Sequence, residues 1–187
     1  MSTLQVENLI GPTSGSNANK VIIPSGQTLD ASNGFVAPAG HVIQTVKSKW
    51  YGYQDTNNTS YVSVDDSLVN ITPKYANSQL LLRYSIHYFV RNSQLHGIAP
   101  YFYIPSTNNW SVLTSQSTFN EGARVANDSQ SSFIMWSTLS FEHLISVPGT
   151  GTEQVSFKVY HKSSDGQSVR INDNGPGSSI TVQEIAQ

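Results

Sequence analysis

Gln79-Leu80-Leu81-Leu82-Arg83-Tyr84-Ser85-Ile86-His87-Tyr88-Phe89-Val90 decides the fold. Leu80, Leu82, Tyr84, Ile86, Tyr88 and Val90 recur at every second position, which in an extended chain puts them on one side. Leu81, Arg83, Ser85, His87 and Phe89 fall on the other. A period of two sustained over this length predicts a strand with one face in a core and the other largely exposed or at an interface.

The same reading extends outward. Toward the N-terminus, Val42, Thr45, Val46, Trp50, Tyr51 and Tyr53 predict one long strand, ended by the turn Asp55-Thr56-Asn57-Asn58. Tyr61, Ser63, Val64, Leu68, Asn70 and Ile71 predict a second, with a bulge or turn at Asp65-Asp66 and a stop at Pro73. Toward the C-terminus, residues 98–104 and 110–113 flank Pro105-Ser106-Thr107-Asn108-Asn109 and predict a hairpin. Residues 133–146 are compatible with a long strand. A helix over 136–144 competes, but the surrounding Ser and Thr and the even spacing of the other strand signals weigh against it. Val155, Phe157 and Val159 alternate with Ser156, Lys158 and Tyr160, and Asp165-Gly166 and Asn174-Gly175-Pro176-Gly177 mark loops before a last strand at 179–185. Roughly eight strands joined by polar turns predict an all-β fold, an antiparallel β-sandwich of jelly-roll type. Spacing does not set the order of the strands. No tandem repeat or heptad points to a solenoid, propeller or coiled coil.

The first forty residues are different. Leu4, Val6, Leu9 and Ile10, then Val21, Ile22 and Ile23, then Leu29, form short apolar clusters separated by Gly11-Pro12, Ser25-Gly26 and Asn33-Gly34. Ordering backbone costs roughly 1–2 kcal/mol per residue, so clusters this short stay ordered only by packing on something larger, such as neighbouring chains. A flexible leader is the alternative. Val21-Ile22-Ile23 followed by Pro24-Ser25-Gly26 has the pattern of strand and turn rather than of a linker. The division is therefore an extended attachment arm over 1–40, with Val21, Ile22, Ile23 and Leu29 as its contact residues, and a β-sandwich domain over 41–187.

Composition narrows the function. The chain has 187 residues, enough for one domain and an appendage. Only 12% of residues are charged, so the polar surface comes from Ser, Thr, Asn and Gln. Ten Lys and Arg against 12 Asp and Glu, with no basic run, argue against a nucleic-acid surface built on phosphate neutralisation. No apolar stretch approaches the length of a spanning helix, and residues 1–10 lack a signal peptide's basic start and apolar core, so no membrane insertion is expected. The absence of Cys removes disulfides and thiolate ligands without fixing a compartment.

Five histidines, His41, His87, His96, His143 and His161, stand singly, without metal-ligand spacing. A threefold axis could gather copies of His87 or His161 into a metal site, but ordinary structural roles explain all five. Asp55, Asp65, Asp66, Asp128, Glu142, Glu153, Asp165, Asp173 and Glu184 sit mostly in predicted turns and read as solvated caps. A glycan-cleaving carboxylate pair, for instance Glu121 with Asp128, has nothing to single it out. Neither a nucleophile elbow nor a phosphate-binding glycine loop is present. The expectation is no enzyme, no cofactor and no metal. Aromatic rings in or beside polar loops are the better recognition candidates: Trp110 after Asn108-Asn109, Tyr53 with Trp50 and Tyr51 before the Asp55 loop, and Tyr101-Phe102-Tyr103 alternating across a short strand. Flat rings among amides and hydroxyls can stack on sugars, such as a host surface glycan, although core or interface packing accounts for such rings equally well.

Four segments carry a family likeness: Val21-Ile22-Ile23-Pro24-Ser25-Gly26-Gln27-Thr28-Leu29-Asp30; Pro38-Ala39-Gly40-His41-Val42-Ile43-Gln44; Ile71-Thr72-Pro73-Lys74 with Ser78-Gln79-Leu80-Leu81-Leu82; and Ser179-Ile180-Thr181-Val182-Gln183-Glu184-Ile185. In their order and spacing they resemble the tail-fibre and related virion proteins of bacteriophages, especially those of marine and cyanobacterial hosts. The resemblance implies a homotrimer with the arm held by another virion protein, and a role in host attachment or a structural place on the virion. The arm leads almost directly into the globular part with no shaft between, which favours a short fibre, adaptor or surface knob over a long fibre.

Overall fold

Alternation becomes geometry in the central strand. The computed structural model describes residues 12–16, 18, 21, 22, 25, 38–91, 96–113, 134–147, 151, 153–163, 166–172 and 176–187, as backbone alone at 90–91 and 134–136. By its contacts the chain divides into two units, Met1–Val36 and Ala37–Gln187, and the second holds the sheets. Its strands are β1 (Val42–Trp50), β2 (Gln54–Thr56), β3 (Val62–Ser63), β4 (Val69–Ile71), β5 (Gln79–Arg91), β6 (His96–Ile104), β7 (Asn109–Val112), β8 (Ile134–Ser146), β9 (Val155–Ser163), β10 (Val169–Ile171) and β11 (Ser178–Ile185). No helix occurs among the described residues. The competing helix over 136–144 is strand β8.

All pairings are antiparallel and form two sheets. In the first, β8 covers one edge of β5 from Gln79 to Arg91, so β11, paired at Gln79–Ser85, and β10, paired at Tyr88 and Phe89, share the other edge. β1 then lies beyond β11 and β2 beyond β10. In the second, β6 takes one edge of β9, while β3 and β4 share the other, and β7 lies outside β6. Counting β1 with β2, β3 with β4 and β10 with β11 gives eight strand positions. They run 1-8-3-6 in the first sheet and 2-7-4-5 in the second, the order of a jelly roll with two Greek keys. The core between the sheets contains Leu80, Leu82, Tyr84, Ile86 and Tyr88 from β5, Val155, Phe157 and Val159 from β9, and Ile180 and Val182 from β11. Burying each such side chain stabilises the fold by roughly 1.5–3 kcal/mol. Tyr84 stacks on Phe141 of β8 at 4.6 Å between ring centres. On the outer face of β5, predicted to be largely exposed or at an interface, Phe89 is buried, with the Arg170 guanidinium 6.0 Å from its ring centre.

Three of the eight positions are broken, and buried polar side chains repair them. The long strand expected over 42–53 stops at Trp50 and resumes at Gln54. Beside that gap the last position is interrupted too, after Ile171. Asn172, buried and with φ of 59°, donates through Nδ2 to the carbonyls of Trp50 at 3.2 Å and Gly52 at 3.3 Å. Its Oδ1 accepts from Ser178 Oγ at 2.5 Å, its own N–H donates to the His87 carbonyl at 2.9 Å, and Ser178 Oγ accepts from the His87 amide at 2.8 Å. Gly177 completes the return, since a Cβ there would lie 2.8 Å from the Trp50 carbonyl oxygen. Between β3 and β4 the predicted Asp65-Asp66 turn forms, with Asp66 at φ 59°. There Ser67 Oγ accepts from the Val159 amide at 3.1 Å and donates to the Val64 carbonyl at 2.7 Å, standing in for a ladder partner. Val169–Ile171 was not expected as a strand; three residues are too few for a periodic signal.

Three acids depart from the solvated-turn reading, Glu142 among them, on β8 and paired with Arg83 Nε at 2.9 Å. Asp55 lies on β2 and pairs with Arg170 of β10, Nε to Oδ1 at 2.6 Å and Nη2 to Oδ2 at 2.8 Å. Glu184 is fully buried on the core side of β11, where it accepts from the amides of Lys74 at 2.8 Å and Tyr75 at 3.1 Å and from Gln44 Nε2 at 2.6 Å. It closes one end of the core by fixing the segment that leads into β5.

His96 and His161 are also buried. They face each other across β6 and β9, His96 Nε2 to His161 Nδ1 at 3.2 Å, with the Tyr88 ring edge against His96 at 6.0 Å. In either tautomeric pairing one ring nitrogen donates to the other, so His96 Nδ1 and His161 Nε2, which have no partner among the described residues, are left as one orphan donor and one orphan acceptor. Burial pushes His96 down to about 3, with the neighbouring His161 lowering it further. Burial likewise pushes His161 down to about 4, against the opposing pull of the Asp55 charge. A buried His161 cannot face a symmetry axis, which removes it from the candidates for a shared metal site.

Replacing Asn172 by Ala should cost about 2–4 kcal/mol in urea unfolding, because it orphans buried groups and strains a backbone with positive φ. Asn172→Gly should recover the strain component alone; equal losses in the two variants would show that backbone strain contributes nothing. For the histidines, the folded pKa lies below the unfolded value of about 6.5, so the unfolded chain takes up protons that the fold refuses. Stability is full above pH 6.5 and falls as pH drops through that value, by about 1.4 kcal/mol per ring at pH 5.5. Histidine NMR resonances followed from pH 8 to 5.5 should show these two rings flat, and a midpoint near 6.5 for either would overturn the assignment.

Candidate functional site

The outward residues of the second sheet form a connected aromatic surface. On β6, Ile98 and Ile104 are buried and Phe102 packs on the core, so Tyr101 and Tyr103 point out. On β9, Val159 and His161 point in and Tyr160 points out. Register then places Trp110 of β7 opposite Tyr103, Val112 opposite Tyr101, and Ala99 opposite Tyr160. The rings touch in sequence. Tyr61 lies 6.0 Å from Tyr101, Tyr101 lies 4.2 Å from Tyr160, Tyr160 lies 6.1 Å from Trp110, and Trp110 lies 5.5 Å from Tyr103. All five are half-exposed.

Small residues make room for them. Ala99 and Ser63 flank Tyr160, and Ser156 lies opposite Tyr103. Gly97, opposite Lys162, is required by close approach: a Cβ there would stand 2.8 Å from Lys162 Cγ and 3.2 Å from the Tyr61 hydroxyl. The lysine stem therefore lies along the sheet and its Nζ sits 4.8 Å over the Tyr61 ring. Lys158 stands opposite Tyr101. Partial burial raises the Tyr101 phenol, and burial followed by the neighbouring Tyr101 raises Tyr160, so both remain neutral hydrogen-bond donors at pH 7. At the hairpin end, Asn108 adopts φ of 47° and its Oδ1 accepts from the Tyr103 hydroxyl at 3.2 Å. Glu153 holds the turn through the Ser106 hydroxyl at 2.8 Å and amide at 3.2 Å.

The predicted recognition residues therefore divide. Trp110, Asn108 and Asn109 lie together at the β6–β7 end of this surface. Tyr53 does not join them: it is exposed just before β2 with the Arg170 guanidinium 4.7 Å from its ring centre, on the outer side of the first sheet. Trp50 is core, and Tyr51 is exposed with Lys49 Nζ 4.8 Å from its ring centre. Tyr61 and Tyr160 were not singled out in sequence. Tyr160 could have been found from the alternation of β9, whereas Tyr61 precedes a strand of two residues and carries no periodic signal.

Other candidates stand elsewhere. His87 is on the outer side of the first sheet, its Nδ1 2.8 Å from Thr138 Oγ1. Among the described residues no three His, Cys, Asp or Glu side chains are grouped to hold a metal ion. Glu121 and Asp128 lie outside the described residues, as do Ile23 and Leu29 of the arm; Val21 and Ile22 are described and exposed.

No protein-family model matches the chain, and no curated protein does. Among solved structures it is similar to the VP2 subviral particle of infectious bursal disease virus, at 12% identity and a TM-score of 0.48 over 94% of this chain and 41% of that one. It is also similar to the structure of the Gx strain of the same virus, at 12% identity and a TM-score of 0.44 over 86% of this chain and 36% of that one. The chain thus spans well under half the length of these proteins, and at these scores the likeness carries no argument about function.

Proposed function

We propose that this chain is a non-enzymatic structural protein of a virus particle, with the jelly roll displayed and the N-terminal arm held by another virion protein. The observation that carries the reading is the strand order, 1-8-3-6 facing 2-7-4-5, an architecture that recurs in virus shells and in lectin domains. A fold does not assign a function by itself. The four segments resembling phage tail-fibre and related virion proteins support the choice of virion over free lectin.

Within that role the finer reading is attachment to the host surface as a short fibre or knob. It is supported by the half-exposed ring surface of Tyr61, Tyr101, Tyr160, Trp110 and Tyr103, whose hydroxyls and neighbouring asparagines suit a carbohydrate. A homotrimer would present three such surfaces, so that weak individual contacts add up to useful avidity. The second reading is a tail adaptor or capsid decoration that binds no receptor. It is favoured by β8, a long strand whose only described partner is β5, leaving an edge on which another virion protein can build.

Deleting residues 1–38 should leave the domain folded, with an unchanged β-type circular dichroism spectrum, yet keep it out of particles. Incorporation of the truncated chain at the normal level would dismiss the arm as the anchor. A cryo-electron microscopy map of the intact particle separates the finer readings: the β6–β7–β9 face turned to solvent supports attachment, and the same face pressed on a neighbour makes the protein an adaptor or cement.

A further inference from the structure

We propose that the outer face of the second sheet binds an acidic saccharide, a sugar ring stacking on Tyr160, Tyr101 and Trp110 while Lys158 and Lys162 take its carboxylate or sulfate. The inference rests on the reading of this face as a recognition surface and names the ligand class. It starts from charge. The whole chain is slightly acidic, with 12 Asp and Glu against 10 Lys and Arg. On the outward positions of β3, β6, β7 and β9, however, the described charged residues are Lys158 and Lys162, and none is a carboxylate. Neither lysine is ion-paired among the described residues; Lys47 and Lys49 on the outer side of the first sheet are not either, but Lys158 and Lys162 stand among the connected rings.

Position agrees with charge. Lys158 is directly opposite Tyr101 and Lys162 is two residues beyond Tyr160 on the same face of β9, so the two lysine positions flank the closest ring pair of the surface, with Lys162 Nζ over Tyr61. Successive same-face residues on a strand are spaced by about 6.5–7 Å, comparable to the reach of one pyranose ring with its substituents. A neutral sugar would use the rings and leave the lysines idle. A nucleic acid would need many more cations, each neutralising a phosphate. A protein partner is less well suited, because lysine is depleted from the cores of protein interfaces.

The test uses the full chain on an array pairing acidic oligosaccharides (uronate, sialylated and sulfated) with neutral ones of matched length, in low and moderate salt. The expected result is retention of acidic members only, weakened by salt, and reduced about tenfold or more in Lys158→Gln/Lys162→Gln. Tyr160→Ala should abolish binding, while the lysine variant should melt as the wild type does, since both side chains are at the surface. Binding of neutral members equal to acidic ones overturns the acidic assignment and leaves the saccharide reading intact. Retention of no member overturns both. If the chain sediments as an oligomer that Trp110→Ala dissociates, the face is an interface between copies and the proposal fails.

Discussion

Asn172 holds together the place where the first sheet would otherwise come apart. Two neighbouring strand positions break at the same level, β1/β2 at residues 51–53 and β10/β11 after Ile171, so backbone groups of Trp50, Gly52 and His87 lose their regular partners together. A buried backbone group without a partner costs about 1–3 kcal/mol, and several side by side would exceed what one or two core side chains contribute. One asparagine serves all of them, through its side-chain amide, its own backbone N–H and the Ser178 hydroxyl as relay. It can do so because asparagine tolerates positive φ, which turns its side chain back across the gap. The fold thereby gains bends that let each long strand position curl, while the core side chains on either side of the break keep their alternation.

The parts legible in sequence were those with a period. β5, β9 and β11 alternate cleanly, and their inward residues are the core. The hairpin at 105–108 and the turn at Asp65-Asp66 were legible from turn chemistry. What escaped was whatever depends on partners distant in sequence. Val169-Arg170-Ile171 becomes a strand only because Thr56 to Gln54 and Phe89 to Tyr88 lie alongside it. Glu184 was readable as a position, since it continues the inward series Ile180, Val182; its carboxylate is tolerated there because the Lys74 and Tyr75 amides, some 110 residues away, converge on it. The recognition candidates split for the same reason: Tyr53 and Trp110 look alike beside polar loops, but strand order puts them on opposite sides of the sandwich.

The two outer faces differ in a way that bears on function. On the first sheet, Arg83 pairs with Glu142 and Arg170 with Asp55 across strands, and Lys47 and Lys49 of β1 stand outward opposite Thr181 and Ser179. Exposed pairs of this kind add little stability. On the second sheet the rings are packed by Gly97, Ala99, Ser63 and Ser156, and among the described residues neither Lys158 nor Lys162 is paired with a carboxylate. Stability alone would not keep so many half-exposed rings on one face, because each leaves apolar area in water that inward packing would have covered.

The strands that carry the ring surface also carry the buried histidines. His161 lies between Tyr160 and Lys162 on β9, and His96 immediately precedes Gly97 on β6. Because side chains alternate across a strand, the inward ring of His161 and the outward groups on either side share one stretch of backbone, and the register of β6 against β9 sets both at once. A one-residue slip of β6 would bring His96 to the surface and drive Tyr101 inward, and a slip of β9 would do the same with His161 and Tyr160, so the packing of two neutral imidazoles between the sheets also specifies which rings face out. The surface is thus fixed from behind: its geometry follows from core residues that no ligand touches, and conditions that charge those imidazoles loosen the two strands on which the rings are mounted.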